Sequence, residues 1–279
     1  MKYIRKNWSS ILLVVIFLVG IGLMAYPSVA NWWNNNMASH AVANYSSAVE
    51  SLDTEEYDRI MADAHAYNEQ LAQEGNRFFP TDEQHADYES QLSVGGSSVM
   101  GAINIPTVRI SLPIYHGTSE DTLAVGAGHL EGSSLPVGGI GTHTVITGHR
   151  GLPSAKLFTD LDKVKEGDHV VLKILNETLT YEVDTIRIVE PAEVESLAID
   201  PEADLLTLVT CTPYGINTHR ILITGHRVEN DSEWEAVSDA FQIDTRLVAL
   251  AVAIPILIIL FVILMIRYRK PKGESDEKS

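Results

Sequence analysis

Two apolar runs, residues 8–26 and 247–266, constrain this 279-residue chain more than any other feature. Each approaches the roughly 20 residues that cross a bilayer core as a helix. Neither contains a charge. Lys2, Arg5 and Lys6 precede the first, and Arg267, Arg269, Lys270 and Lys272 follow the second. Basic flanks stay in the cytoplasm, so the expectation is a two-pass protein of the cell membrane. Both termini would lie inside, and residues from about 31 to 246 outside. The first run is longer than an ordinary signal-peptide core, so it reads as an uncleaved anchor. Pro255 in the second run is tolerable in a membrane helix.

About 200 residues remain between the anchors, enough for one well-buried domain with a helical appendage. The formal net charge of −17 argues against nucleic acid as a partner, because phosphate binding needs a basic surface. From 41 to 73 the apolar residues Val42, Tyr45, Val49 and Leu52, then Tyr57, Ile60, Ala64 and Leu71, keep helical spacing. Asp53 and Glu56 form a capping pair between two helices. This stripe is expected to pack on the main domain. Residues 78–96 are polar and read as a loop. From Val99 onward short apolar runs punctuated by Gly and Pro read as strands at 101–105, 109–114, 142–147, 169–175, 179–189, 205–210 and 220–228. Asn176 and Glu177 mark a hairpin turn. The pattern predicts a mostly β barrel or sandwich.

The only cysteine, Cys211, ends the run at 205–209 and enters a turn rich in Thr, Pro, Gly and Asn. Arg220 opens the next run. If the two strands pair, thiol and guanidinium face one cleft, and a fixed cation favours the nucleophilic thiolate. A thiol nucleophile needs a proton shuttle, and histidine is the usual one. The pentapeptide ITGHR occurs twice, at 146–150 and 223–227, and places His149 and His226 at strand ends. Spacing alone does not separate them. The loop signal Arg150-Gly151-Leu152-Pro153 lets His149 hang over a cleft and favours it. A zinc site from Cys211, His149 and His226 lacks any tight ligand pair. No Asp or Glu stands near Cys211 to orient the histidine.

TLVTC at 207–211 resembles the TLxTC signature of sortases, the transpeptidases of Gram-positive cell surfaces. PIYHG at 113–117, GHLEGSSLP at 128–136, GHRG at 148–151 and CTPYGINTHR at 211–220 resemble their class C, pilin-polymerising branch. The resemblance spans roughly 99–228. It implies an eight-stranded β-barrel with N-terminal helices and, in that branch, two flanking transmembrane helices. It implies Cys211 as nucleophile, His149 as acid/base and Arg220 as oxyanion or substrate-positioning residue, with no cofactor and no metal. The implied reaction cleaves an LPxTG-like signal between Thr and Gly through a thioester, then passes the acyl group to a pilin lysine. The implied partners are pilins or surface proteins bearing such signals. Anchoring of surface proteins to cell-wall peptide is the nearest alternative, and a non-catalytic membrane scaffold is the alternative from another class.

Class C members usually carry a lid with an Asp-Pro-aromatic motif. This chain has none, only Phe78-Phe79-Pro80 and Asp87-Tyr88. The expectation is a lid held by an aromatic near Phe78. The chain then divides into tail and anchor (1–30), helical region with a candidate lid (31–97), catalytic barrel (98–230), linker (231–246), second membrane helix (247–266) and tail (267–279).

Overall fold

The computed structural model describes residues 8–230, 253–261 and 263. The two tails, the linker at 231–246 and the rest of the second apolar run lie outside the described residues. The chain forms two compact units, 1–29 with 240–279, and 30–239. In the first unit the opening apolar run is helical, and large side chains such as Leu12, Leu18 and Leu23 are exposed all round it. That suits a lipid surround, where apolar side chains need no covering by protein. Residues 253–261 are also helical, and the Phe261 ring stacks on Phe17 with centroids 4.2 Å apart.

Helix α1 (Trp8–Glu50) is continuous, with Pro27 inside it. The apolar run stops at Pro27 but the helix does not, because a long helix tolerates the loss of one backbone hydrogen bond. In the second unit α1 is followed by α2 (Thr54–Leu71), whose N-cap Asp53 accepts a hydrogen bond from the Glu56 amide. The helical stripe packs as its spacing predicts: Tyr45, Val49, Ile60 and Ala64 join the barrel core. The Tyr45 hydroxyl donates to the Met100 carbonyl and accepts from the Leu175 amide, at 2.9 and 2.8 Å. The buried Asn68 amide pairs with both backbone groups of Leu135. These bonds tie both helices to the strands.

The expected loop at 78–96 is a helix in part. Helix α3 (Asp82–Ser90) starts at a capping box in which Thr81 and Gln84 satisfy each other's backbone amides. Its one buried side chain is Tyr88, so it has no apolar period to betray it. Tyr88 is fully buried. Its hydroxyl lies 3.0 Å from His129 Nδ1 and 3.1 Å from the His129 carbonyl, and it accepts from the Gly117 amide at 2.9 Å. Burial pushes His129 down to about 4, so its neutral ring donates from Nε2 to the Ser134 carbonyl and accepts at Nδ1. Tyr88→Phe is expected to lower the unfolding free energy by about 1–3 kcal/mol, because it strands buried partners. Chemical denaturation measures this, and an unchanged midpoint would show that α3 is held by packing alone.

The strands are β1 (Val99–Ile105), β2 (Ile110–His116), β3 (Ala127–His129), β4 (Thr142–Thr147), β5 (His169–Ile174), β6 (Glu177–Val189), β7 (Asp204–Thr212) and β8 (His219–Val228). A short helix α4 (Glu120–Val125) leads into β3. The sheet closes in the order β1-β2-β3-β4-β7-β8-β6-β5. The β2–β3 and β4–β7 pairs are parallel and the others antiparallel. Strand β3 escaped sequence reading because three residues, one a glycine, cannot show alternation. The β5–β6 turn is Leu175–Asn176, one residue earlier than expected, since Ile174 pairs with Glu177.

Strand alternation creates two apolar layers. Ile146, Leu206, Leu208, Ile221 and Ile223 face the barrel interior. Val145 and Leu222 face outward and pack with Val189 and Leu197, while Phe78, Leu130 and Val209 lie against them. The outer layer matters for function because its odd-numbered β7 residues run on to Cys211.

Candidate active site

Strand β7 lies between β4 and β8, and Cys211 is its next-to-last residue. The strand continues through Thr212 rather than ending in the expected turn, because Thr212 still pairs with His219. Cys211 pairs directly with Arg220, so the two side chains project to the same outer face. On the other side Thr147 pairs with Val209, and the Gly148 amide donates to the Val209 carbonyl at 3.2 Å. His149 lies two residues beyond the end of β4, as Cys211 lies two residues beyond Val209. Of the three residues singled out in the sequence, Cys211 and Arg220 are thus cross-strand neighbours, and His149 follows the strand on the other side of β7.

Local structure fixes each part. The Gly148 carbonyl accepts from the Thr210 hydroxyl at 2.8 Å, and the His149 carbonyl accepts from the Phe158 amide at 3.1 Å. A Cβ on Gly148 would sit 2.8 Å from the Phe158 ring, which explains a glycine just before the histidine. Arg220 Nη1 donates to the carbonyls of Asn217 and His219 at 3.2 and 3.1 Å. Among the described residues Arg220 Nη2 and Nε, the His149 ring and the Cys211 thiol make no hydrogen bond. Cys211, His149 and Arg220 are each half-buried.

His226 is elsewhere. It pairs with Leu205, six residues from Cys211 along β7, or about 20 Å. Its Nδ1 sits 2.8 Å from an Asp184 carboxylate oxygen. This separates the two ITGHR copies and removes the zinc trio. His116, His129 and His143 are buried and bonded. His143 Nδ1 donates to the Ala198 carbonyl at 2.8 Å, and Nε2 accepts from the Thr207 hydroxyl at 2.7 Å. Burial lowers its basicity and suits a neutral ring. His143 thereby pins the β6–β7 connection over the outer face.

Sequence reading left Arg77 unnoticed. Its Nη2 donates to the Leu197 carbonyl at 2.6 Å, and its guanidinium lies 4.7 Å from the centroid of Phe78. Phe78 packs against the outer apolar cluster of Val145, Val189, Leu197 and Leu222, which Val209 of β7 also meets. Gly132 (φ +86°) lets the segment pass, since a Cβ there would meet the Arg77 carbonyl at 2.3 Å. The only signal for this was the Arg-Phe-Phe-Pro cluster itself.

A family profile for the sortase domain matches residues 103–228. Sortase A of Bacillus anthracis is 26% identical over 225 residues, covering 80% of this chain and 96% of that protein. Among solved structures, sortase C1 from Streptococcus agalactiae is 51% identical with a TM-score of 0.67, covering 69% of this chain and 100% of that one. Sortase C of Streptococcus pneumoniae is 42% identical with a TM-score of 0.61, covering 68% of this chain and 97% of that one.

Proposed function

The chain belongs to the sortase family of cysteine transpeptidases, and on that premise we propose that it polymerises pilin subunits through Cys211, His149 and Arg220. The observation that carries this reading is the direct pairing of Cys211 with Arg220 across β7 and β8, with His149 following β4, the strand on the other side of β7. His149 takes the Cys211 thiol proton, and the sulfur attacks the threonine carbonyl carbon of an LPxTG-like signal. The carbonyl oxygen takes the electron pair, and Arg220 offers it the N–H groups that the loop carbonyls leave free. When the tetrahedral intermediate collapses, the Thr–Gly bond breaks and His149 protonates the departing glycine amine. A lysine amine then attacks the thioester, His149 accepts its proton, and the thiolate leaves. The net change is one amide bond exchanged for another, so no oxidant or energy source is needed.

The class C character of the structural relatives supports a pilin as partner. The S. pneumoniae structure is itself described in terms of pilin substrate specificity. The basic flanks and the Phe17–Phe261 stack support a two-pass membrane protein with the barrel outside. Incubation with an LPxTG peptide and a pilin domain tests the acceptor: a peptide–pilin lysine conjugate supports polymerisation, whereas conjugation only to cell-wall peptide amines favours anchoring.

Residues 77–80 act in this reading as a lid held by Phe78 and Arg77. Truncating a half-buried phenylalanine costs its packing about 1–2 kcal/mol, so Phe78→Ala is expected to speed alkylation of Cys211 about tenfold. Timed mass spectrometry with iodoacetamide reads this, and unchanged labelling would show that the segment does not guard the thiol.

A further inference from the structure

The buried histidines of the barrel, His116, His129 and His143, have partners that fix their rings, whereas the half-buried His149 ring has none among the described residues. The second ITGHR copy does have one, since His226 binds Asp184. Something else must hold His149 in the role proposed for it above. In both copies the arginine after the histidine lies over a tyrosine: Arg227 is 5.7 Å from the Tyr181 ring and Arg150 is 5.9 Å from the Tyr214 ring.

We infer that Arg150 is a positioning residue that locks the His149 loop to the Cys211 strand. The inference rests on the reading of Cys211 and His149 given above. Arg150 Nη2 binds Asp162 Oδ2 at 2.6 Å, and Nη1 donates to the Thr212 hydroxyl at 3.5 Å. Thr212 follows Cys211, and Tyr214 begins the loop that leads to Arg220. Asp162 lies in the connection from β4 to β5, so the guanidinium joins both ends of the His149 loop to the end of β7. Its side chain is only 9% exposed, and its Nε is buried without a partner. A lone surface ion pair contributes little, but a planar fork buried between two reacting strands sets their distance. A shift of about 1 Å in such a distance can cost about 100-fold in rate.

The test uses the full chain in detergent with an LPxTG peptide. Arg150→Ala is expected to slow acylation of Cys211 by about 10- to 100-fold while KM stays within about twofold. Arg150→Lys keeps an ammonium for Asp162 and is expected to recover part of the rate. Millimolar guanidinium is expected to rescue Arg150→Ala, because the vacated site is enclosed. Amide exchange in residues 149–158 is expected to rise in Arg150→Ala while that of β7 does not. This second measurement needs no turnover, so it judges Arg150 even if the wild type forms no adduct, the result that would sink the underlying reading instead. Acylation within about twofold of wild type with unchanged exchange overturns the inference. So does an equal loss in both variants with raised KM, lowered melting midpoint and no rescue, which marks a merely structural residue.

Discussion

Cys211→Ala is expected to abolish transpeptidation, with a loss on the order of 10⁶-fold, the scale seen when a covalent nucleophile is removed. The reaction as proposed divides one amide exchange into two acyl transfers, and both need a sulfur to carry the acyl group. Cys211 is the only cysteine in the chain, so no second thiol can substitute. The residue stands half-buried on the outer face of β7, outside the barrel core. Removing one sulfur atom there leaves the β4–β7 and β7–β8 ladders intact, and the melting midpoint is expected to hold. Chromatography of the released glycine-bearing fragment measures turnover. A variant that still cleaves the peptide at an appreciable rate would exclude the thioester route.

His149→Ala is expected to lower turnover by about 10²- to 10⁴-fold, the usual worth of a positioned acid/base. The loss should fall on kcat rather than KM, because the proton moves only as bonds to the acyl carbon form and break. The residue is suited to this task by what it lacks. His116, His129 and His143 spend their ring nitrogens on backbone carbonyls and hydroxyls, and His226 spends Nδ1 on Asp184. The His149 ring has no such partner among the described residues. His226→Ala provides the comparison: it removes an exposed hydrogen bond to Asp184 about 20 Å along the strand and is expected to leave kcat unchanged. Equal losses in both variants would contradict the assignment.

Most of the barrel was legible because its strands are long enough to alternate. Val99, Thr142, His169 and His219 open strands at or within two residues of where turn signals place them. The helical stripe from Tyr45 to Leu71 was legible for the same reason, since its apolar period is real and packs as expected. What escaped was carried by single residues. Helix α3 rests on Tyr88 alone, and β3 is three residues long. The candidate triad could be named from motif resemblance, and register pairs Cys211 with Arg220, but its surroundings could not be read. Arg77 on the Leu197 carbonyl and Arg150 on Asp162 are contacts across 120 and 12 residues. Neither leaves a local pattern, because a long cationic side chain finds its partner only once the strands are assembled.

The acyl-enzyme itself is the most direct test of the central claim. The full chain, mixed with an LPxTG peptide and quenched in acid before acceptor is added, is analysed by intact mass and then by peptide mapping. The account predicts a mass gain equal to the peptide acyl fragment ending in threonine, located on the peptide containing Cys211 and discharged by hydroxylamine or by a lysine amine. A fragment carried by any other residue, or product released from the Cys211→Ala variant at the wild-type rate, would contradict it.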